Sequence, residues 1–172
     1  MTGPVDPKMR KGADGGGPQI RIAETGDLPA LLGLLSQLRR PGPEVPEAPG
    51  GSDVGAVWAE IVADERRTLL VAEVDDRIVG IADMIVVPNL THGARPVAFV
   101  ENVVVEEERR GAGVGRALMA ECEARALDAG CYKIQLLSAL HRTAAHRFYE
   151  SLGYEATSRG YRRYFDLPAD TP

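Results

Sequence analysis

The chain has 172 residues, 44% of them hydrophobic and 26% charged, with a formal net charge of −5. That length suits one domain with a substantial core and leaves little for a second. The acidic balance argues against a general nucleic-acid binder, no apolar stretch is long enough to span a bilayer, and no apolar segment follows Lys8, Arg10 and Lys11 to make a signal peptide.

Residues 1–18 are rich in Gly, Pro and charge and read as a flexible tail. A strand begins near Gln19, with Ile20 and Ile22 alternating against Arg21. Asp27 then caps a helix whose leucines at 28, 31, 32, 35 and 38 form one stripe. Pro41 to Gly51 carries four prolines and is a loop. A second helix runs from Asp53 to Glu65 with Val57, Trp58, Ile61 and Val62 on one face. Leu69 to Val74 and Ile78 to Val87 form a hairpin about the polar turn Asp75-Asp76-Arg77. Asn89 to Arg95 is a loop, and Val97 to Val105 is the central strand. A helix from Val114 to Ala129 turns Val114, Ala117, Leu118 and Cys122 inward and ends at Gly130. Ile134 to Leu137 is a short buried strand. Thr143 to Leu152 is the last helix, closed by Gly153, and Tyr154 to Leu167 supplies one or two final strands. Pattern alone therefore predicts an α/β layered domain with a mixed sheet.

The most informative segment joins Val103-Val104-Val105 to Arg109-Arg110-Gly111-Ala112-Gly113-Val114-Gly115-Arg116. An apolar strand, a glycine loop and a helix N-terminus follow one another. The glycines permit positive φ and close approach to the backbone, and the first helical turn has N–H groups without internal partners. With Arg109, Arg110 and Arg116 this is a cradle for phosphate. It is not a P-loop, because it closes Gly115-Arg116-Ala117. It is not the dinucleotide fingerprint either, because its third glycine comes one position early.

The pattern Arg-x-x-Gly-x-Gly at Arg110, Gly113 and Gly115 resembles the acyl-CoA loop of the GNAT superfamily of N-acetyltransferases. Further on, Ala145-His146-Arg147-Phe148-Tyr149-Glu150-Ser151-Leu152-Gly153-Tyr154 is similar to that family's second signature. The resemblance covers Gln19 to Leu167. It implies a mixed, mostly antiparallel central sheet flanked by helices, in a single domain over residues 19–167 with a short tail at 168–172. It further implies acetyl-CoA as acyl donor, held by the backbone of Val103 and Val105 and by Arg110, Gly111, Gly113, Val114, Gly115 and Arg116.

Acetyl transfer from a thioester to an amine requires removal of the amine proton, stabilisation of an oxyanion and protonation of the leaving thiolate. Glu101, between apolar neighbours in Phe99-Val100-Glu101-Asn102-Val103, is the candidate base; the alternative is a Glu that only positions the substrate ammonium or pairs with an Arg. Tyr149 is the candidate acid, the resemblance placing the family's general-acid Tyr there; the alternative is a core aromatic with one hydrogen bond. The family often has Asn where this chain has Arg142, which can instead meet a phosphate. His141 and His146 read as surface residues without metal spacing, and His92 sits in a loop that can border the acceptor site. Cys122 and Cys131 read as reduced, packed thiols.

The resulting expectation is a cytoplasmic N-acetyltransferase that acts on a primary amine of a small molecule. A peptide or protein amine is the second choice, and a non-catalytic acyl-CoA-binding module is the rival reading. No metal, nucleic acid or membrane partner is expected. Tyr154, Tyr161, Tyr164 and Phe165 crowd the final segment and point to a homodimer.

Overall fold

A computed structural model describes residues 17–38, 53–161 and 163. Strands β1 (Gln19–Ile22), β2 (Arg67–Val74), β3 (Arg77–Val87), β4 (Val97–Val105) and β5 (Lys133–Leu136) form one sheet in that spatial order. The first three pairings are antiparallel and β4–β5 is parallel. Helices α1 (Leu28–Ser36), α2 (Val54–Ala63), α3 (Val114–Asp128) and α4 (Thr143–Glu150) flank it. The expected fold class holds. The β2–β3 hairpin turns through Asp75 and Asp76, both at positive φ, the two-residue turn that matches the twist of paired strands.

Each face of the sheet has its own core. On one, Leu70, Ala82, Met84, Ala98 and Val100 pack against Val114, Leu118, Met119 and Cys122 of α3. On the other, Val71, Ile81 and Val104 pack against Leu31 and Leu34 of α1 and Trp58 of α2. The buried stripe of α1 is therefore Leu31 and Leu34 with Leu35 and Leu38 beside them, and the expected Leu32 is 45% exposed. Helical spacing explains the correction: positions 31, 34, 35 and 38 share a face, and 32 lies off it. On α2 only Trp58 is buried, with Ile61 packed beside it. Val57 and Val62 are exposed, because a short helix resting on a large indole covers a narrow stripe.

Asp53 caps α2, accepting from the Ala56 N–H at 3.0 Å. Asp27 does not cap α1. Its carboxylate takes Arg21 at 2.7 and 3.0 Å and the Glu24 N–H at 2.7 Å, so it is committed to β1 and to the turn before the helix. The final strands expected over Tyr154 to Leu167 are not formed by Tyr154–Tyr161. Residues 155–161 are all exposed, so no alternating face holds them on the core; Tyr164, Phe165 and Leu167 lie outside the described residues. The Pro41–Gly51 loop and residues 1–16 of the expected tail also lie outside them.

Two departures from regular pairing shape the middle of the sheet. Ile81 faces Val104 and Asp83 faces Glu101, so Asn102 and Val103 together oppose Ala82. This β-bulge carries Asn102 at φ +52°. Regular alternation would keep Val104 on the face of Ala98 and Val100. The bulge moves it to the α1 face and gives Val103 and Val105 to the α3 face. Moreover, β5 pairs with β4 only from Val97↔Lys133 to Val100↔Leu136. Beyond that point the two strands part, and one edge of Glu101–Val105 has no strand beside it among the described residues.

Candidate active site

The glycine loop takes its shape from where β4 ends. The Glu106 N–H donates to the Val79 carbonyl at 2.8 Å, and one 3₁₀ turn, Glu107–Arg109, redirects the chain. Gly111 and Gly113 then adopt φ of 80° and 86°, a left-handed geometry that L side chains rarely hold. A Cβ at either position would meet nothing within 4 Å, so the backbone there opens to solvent. Gly113 is the N-cap of α3, no side chain caps that end, and its first turn holds no acidic residue. The first turn's N–H groups and the positive end of the helix dipole thus face open space, an arrangement that fits a diphosphate.

The arginines around this loop divide. Arg110 Nε donates to the Val105 carbonyl at 3.2 Å, tying the loop to the end of β4. Arg109 pairs with Asp75 at 3.6 Å. Arg116 is exposed on the first turn of α3. Gly115 plays a different part from the other two glycines. A Cβ on it would lie 3.1 Å from the Phe148 ring and 3.6 Å from Val105 Cγ2. Its bareness lets α3 sit against α4 and β4, so the two sequence signatures touch at Gly115 and Phe148.

Tyr149 follows Phe148 on α4. Its ring is tilted against Phe148 at 5.1 Å and meets Tyr154 edge-on at 5.9 Å. Burial raises its phenol pKa; the charge of Arg142 opposes that rise, and Cys122 and Glu101 add to it. Tyr149 therefore keeps its proton at neutral pH, and Glu101 lies within its electrostatic reach. Glu101 is exposed, not enclosed by its apolar sequence neighbours, because it sits at the bulge where β4 leaves β5. The free edge of β4 runs from Glu101 to Val105, so the Val103 and Val105 backbone groups lie along the opening.

The remaining candidates have local roles. Arg142 is exposed at the start of α4. His146 Nε2 lies 3.0 Å from the Ala139 carbonyl and ties the β5–α4 loop to α4. His92 stacks on Tyr132 at 4.1 Å, holding the β3–β4 loop against the start of β5. Cys122 and Cys131 are buried free thiols, and burial pushes the Cys122 thiol up to about 12. Sequence reading missed Asp83. It is 1% exposed and takes Arg67 Nε at 2.9 Å, with Arg67 Nη2 on its other oxygen. A lone acid inside the apolar run Ile81-Ala82-Asp83-Met84-Ile85 was the available signal.

Residues 33–154 match the family described as Acetyltransferase (GNAT) family. Over 149 residues the chain is 36% identical to a glucosamine 6-phosphate N-acetyltransferase of Trypanosoma brucei brucei, covering 84% of this chain and 93% of that protein. It is 32% identical over 108 residues to an aminoglycoside N(6')-acetyltransferase type 1 of Stenotrophomonas maltophilia, covering 62% of this chain and 69% of that one. A solved candidate acetyltransferase from Agrobacterium tumefaciens superposes with a TM-score of 0.76 at 40% identity, covering 86% of this chain and 99% of its own.

Proposed function

Because this chain belongs to the acetyltransferase (GNAT) family, whose members are acyltransferases, we propose that it transfers the acetyl group of acetyl-CoA directly to a primary amine of a small molecule. One observation carries this reading. The free edge of β4 begins at Glu101, whose charge bears on the protonated Tyr149, and ends at Val105, against Gly115 at the start of α3. Acetyl-CoA supplies the activated acetyl carbonyl and the thiolate leaving group. The chain's own residues do the rest.

The N–H groups of Gly113, Val114, Gly115 and Arg116, with Gly111, Arg110 and the Arg116 charge, hold the diphosphate. The Val103 and Val105 backbone pairs with the extended pantetheine arm as an added strand would, and the Val103 N–H donates to the carbonyl oxygen. Glu101 takes the amine proton as the carbon–nitrogen bond forms. Tyr149 gives its proton to sulfur as the carbon–sulfur bond breaks. The relatives' names support an amino sugar as acceptor, in phosphorylated or antibiotic form. The domain spans residues 19–167, between tails at 1–18 and 168–172, and works in the cytoplasm. No helix among the described residues is long and apolar enough to cross a membrane.

The test is binding followed by turnover. Acetyl-CoA should raise the melting temperature, because it binds the folded state. Gly113→Asp should abolish most of that rise, since it puts a strained residue and a negative charge where the diphosphate sits. Thiol release with glucosamine 6-phosphate and an aminoglycoside then reports transfer. No thermal shift and no thiol release with any amine would reject the reading.

The enzyme works as a homodimer that uses the segment from Tyr154 onward. Tyr161 supports this, being 87% exposed and of a residue type enriched at protein interfaces. Light scattering at micromolar concentration should give twice the chain mass of 18.5 kDa. A monomer mass would reject the dimer.

A further inference from the structure

Asp83 is the one charged residue buried in the core among the described residues, and the acetyl-transfer reading gives it no part. A buried carboxylate is costly unless paired, and Arg67 pairs it through two parallel contacts. Such a pair is a poor way to gain stability, because apolar residues of similar volume usually do as well or better. Its location suggests another use. Across β3 and β4, Asp83 stands directly opposite Glu101, and two facing carboxylates repel unless one is neutralised. Arg67 neutralises Asp83. Asp83 Oδ2 also lies 3.5 Å from the side-chain amide of Asn102, the residue held at φ +52° in the bulge. Asparagine adopts a left-handed backbone more readily than other non-glycine residues, still at some cost, and surrounding contacts such as this one favour it over the extended alternative.

We propose that the Arg67–Asp83 pair is a positioning device: it holds the β4 bulge at Asn102 and thereby sets Glu101 and the Val103 N–H for acyl transfer. Without the bulge, Val103 and Val105 would exchange faces with Val104, and the backbone at Val103 would lose its present register beside Glu101. The inference rests on the acetyl-transfer reading for its consequence, though not for the geometry.

The experiment compares the native enzyme with Arg67→Met/Asp83→Leu, alone and combined with Asn102→Gly. Melting temperature, acetyl-CoA affinity, kcat, and the amide resonances of Asn102 and Val103 in ¹⁵N-labelled protein are measured for each. The double variant should stay folded and still bind acetyl-CoA through the unaltered α3 cradle, with a loss of affinity smaller than its loss in kcat. It should shift both resonances and lose at least about tenfold in kcat, the scale expected when catalytic groups move by less than an ångström. Adding Asn102→Gly should recover most of the loss, because glycine takes the left-handed φ without a tether. A merely structural pair would not be rescued in this way. Unmoved resonances with unchanged kcat, or a loss that glycine does not recover, would overturn the proposal. If the double variant fails to fold, Asn102→Ala against Asn102→Gly decides: the glycine variant should be faster by about tenfold, and equal rates would overturn the clamp. If the native enzyme acetylates no amine, the acetyl-transfer reading falls, and the resonances alone judge the clamp.

Discussion

Tyr149→Phe should lower kcat by about 10²–10⁴-fold, the usual worth of a positioned general acid. Acetyl-CoA affinity should be nearly unchanged. The substitution keeps the ring against Phe148 and Tyr154 and removes only the hydroxyl, so packing and the cradle survive. The direction of the tyrosine's pKa fixes the expected pH behaviour. Burial, the largest influence, lifts the phenol above its ordinary 10.0, so the neutral donor form persists to higher pH than for a free tyrosine. Native kcat should therefore hold through neutral and mildly alkaline pH and fall only above the ordinary phenol range. Pre-steady-state kinetics should first establish that chemistry limits turnover. Full kcat in Tyr149→Phe under that condition would remove Tyr149 from the acid role.

Glu101→Gln should lower kcat/KM by a similar factor of about 10²–10⁴, because it keeps the shape and hydrogen-bonding reach of the side chain while removing the base. Exposure of Glu101 at the bulge gives an incoming amine, or a water beside it, direct access to the carboxylate. A rise confined to the KM for the amine would instead make Glu101 a group that holds the ammonium. The losses in Glu101→Gln and Tyr149→Phe should not simply add, because both residues act in one transition state.

Much of this site was legible in the sequence because its determinants are local. Alternate glycines, a following helix-forming stretch and flanking arginines specify an anion cradle through φ preferences and unpaired N–H groups that act within a few residues. The α3 helix follows from its helix-forming stretch and the Gly130 that ends it, and Tyr149 was marked by its motif. Other features depend on contacts between distant segments. Gly115 reads as a third phosphate glycine, yet its bareness makes room for Phe148, a packing fact that only the juxtaposition of α3 and α4 decides. Val57 and Val62 look like core on a helical wheel and are exposed, because the width of the buried stripe depends on what α2 lies against. Glu101 looks enclosed by valines and phenylalanine. The bulge at Asn102 and the parting of β4 from β5 put it in the open, while Asp83, unmarked by any motif, is buried and paired with Arg67 across the hairpin. Chain order carries propensity, and it cannot carry register. One extra residue in β4 reverses which side chains face α3, and that reversal exists only once β3 and β4 are paired.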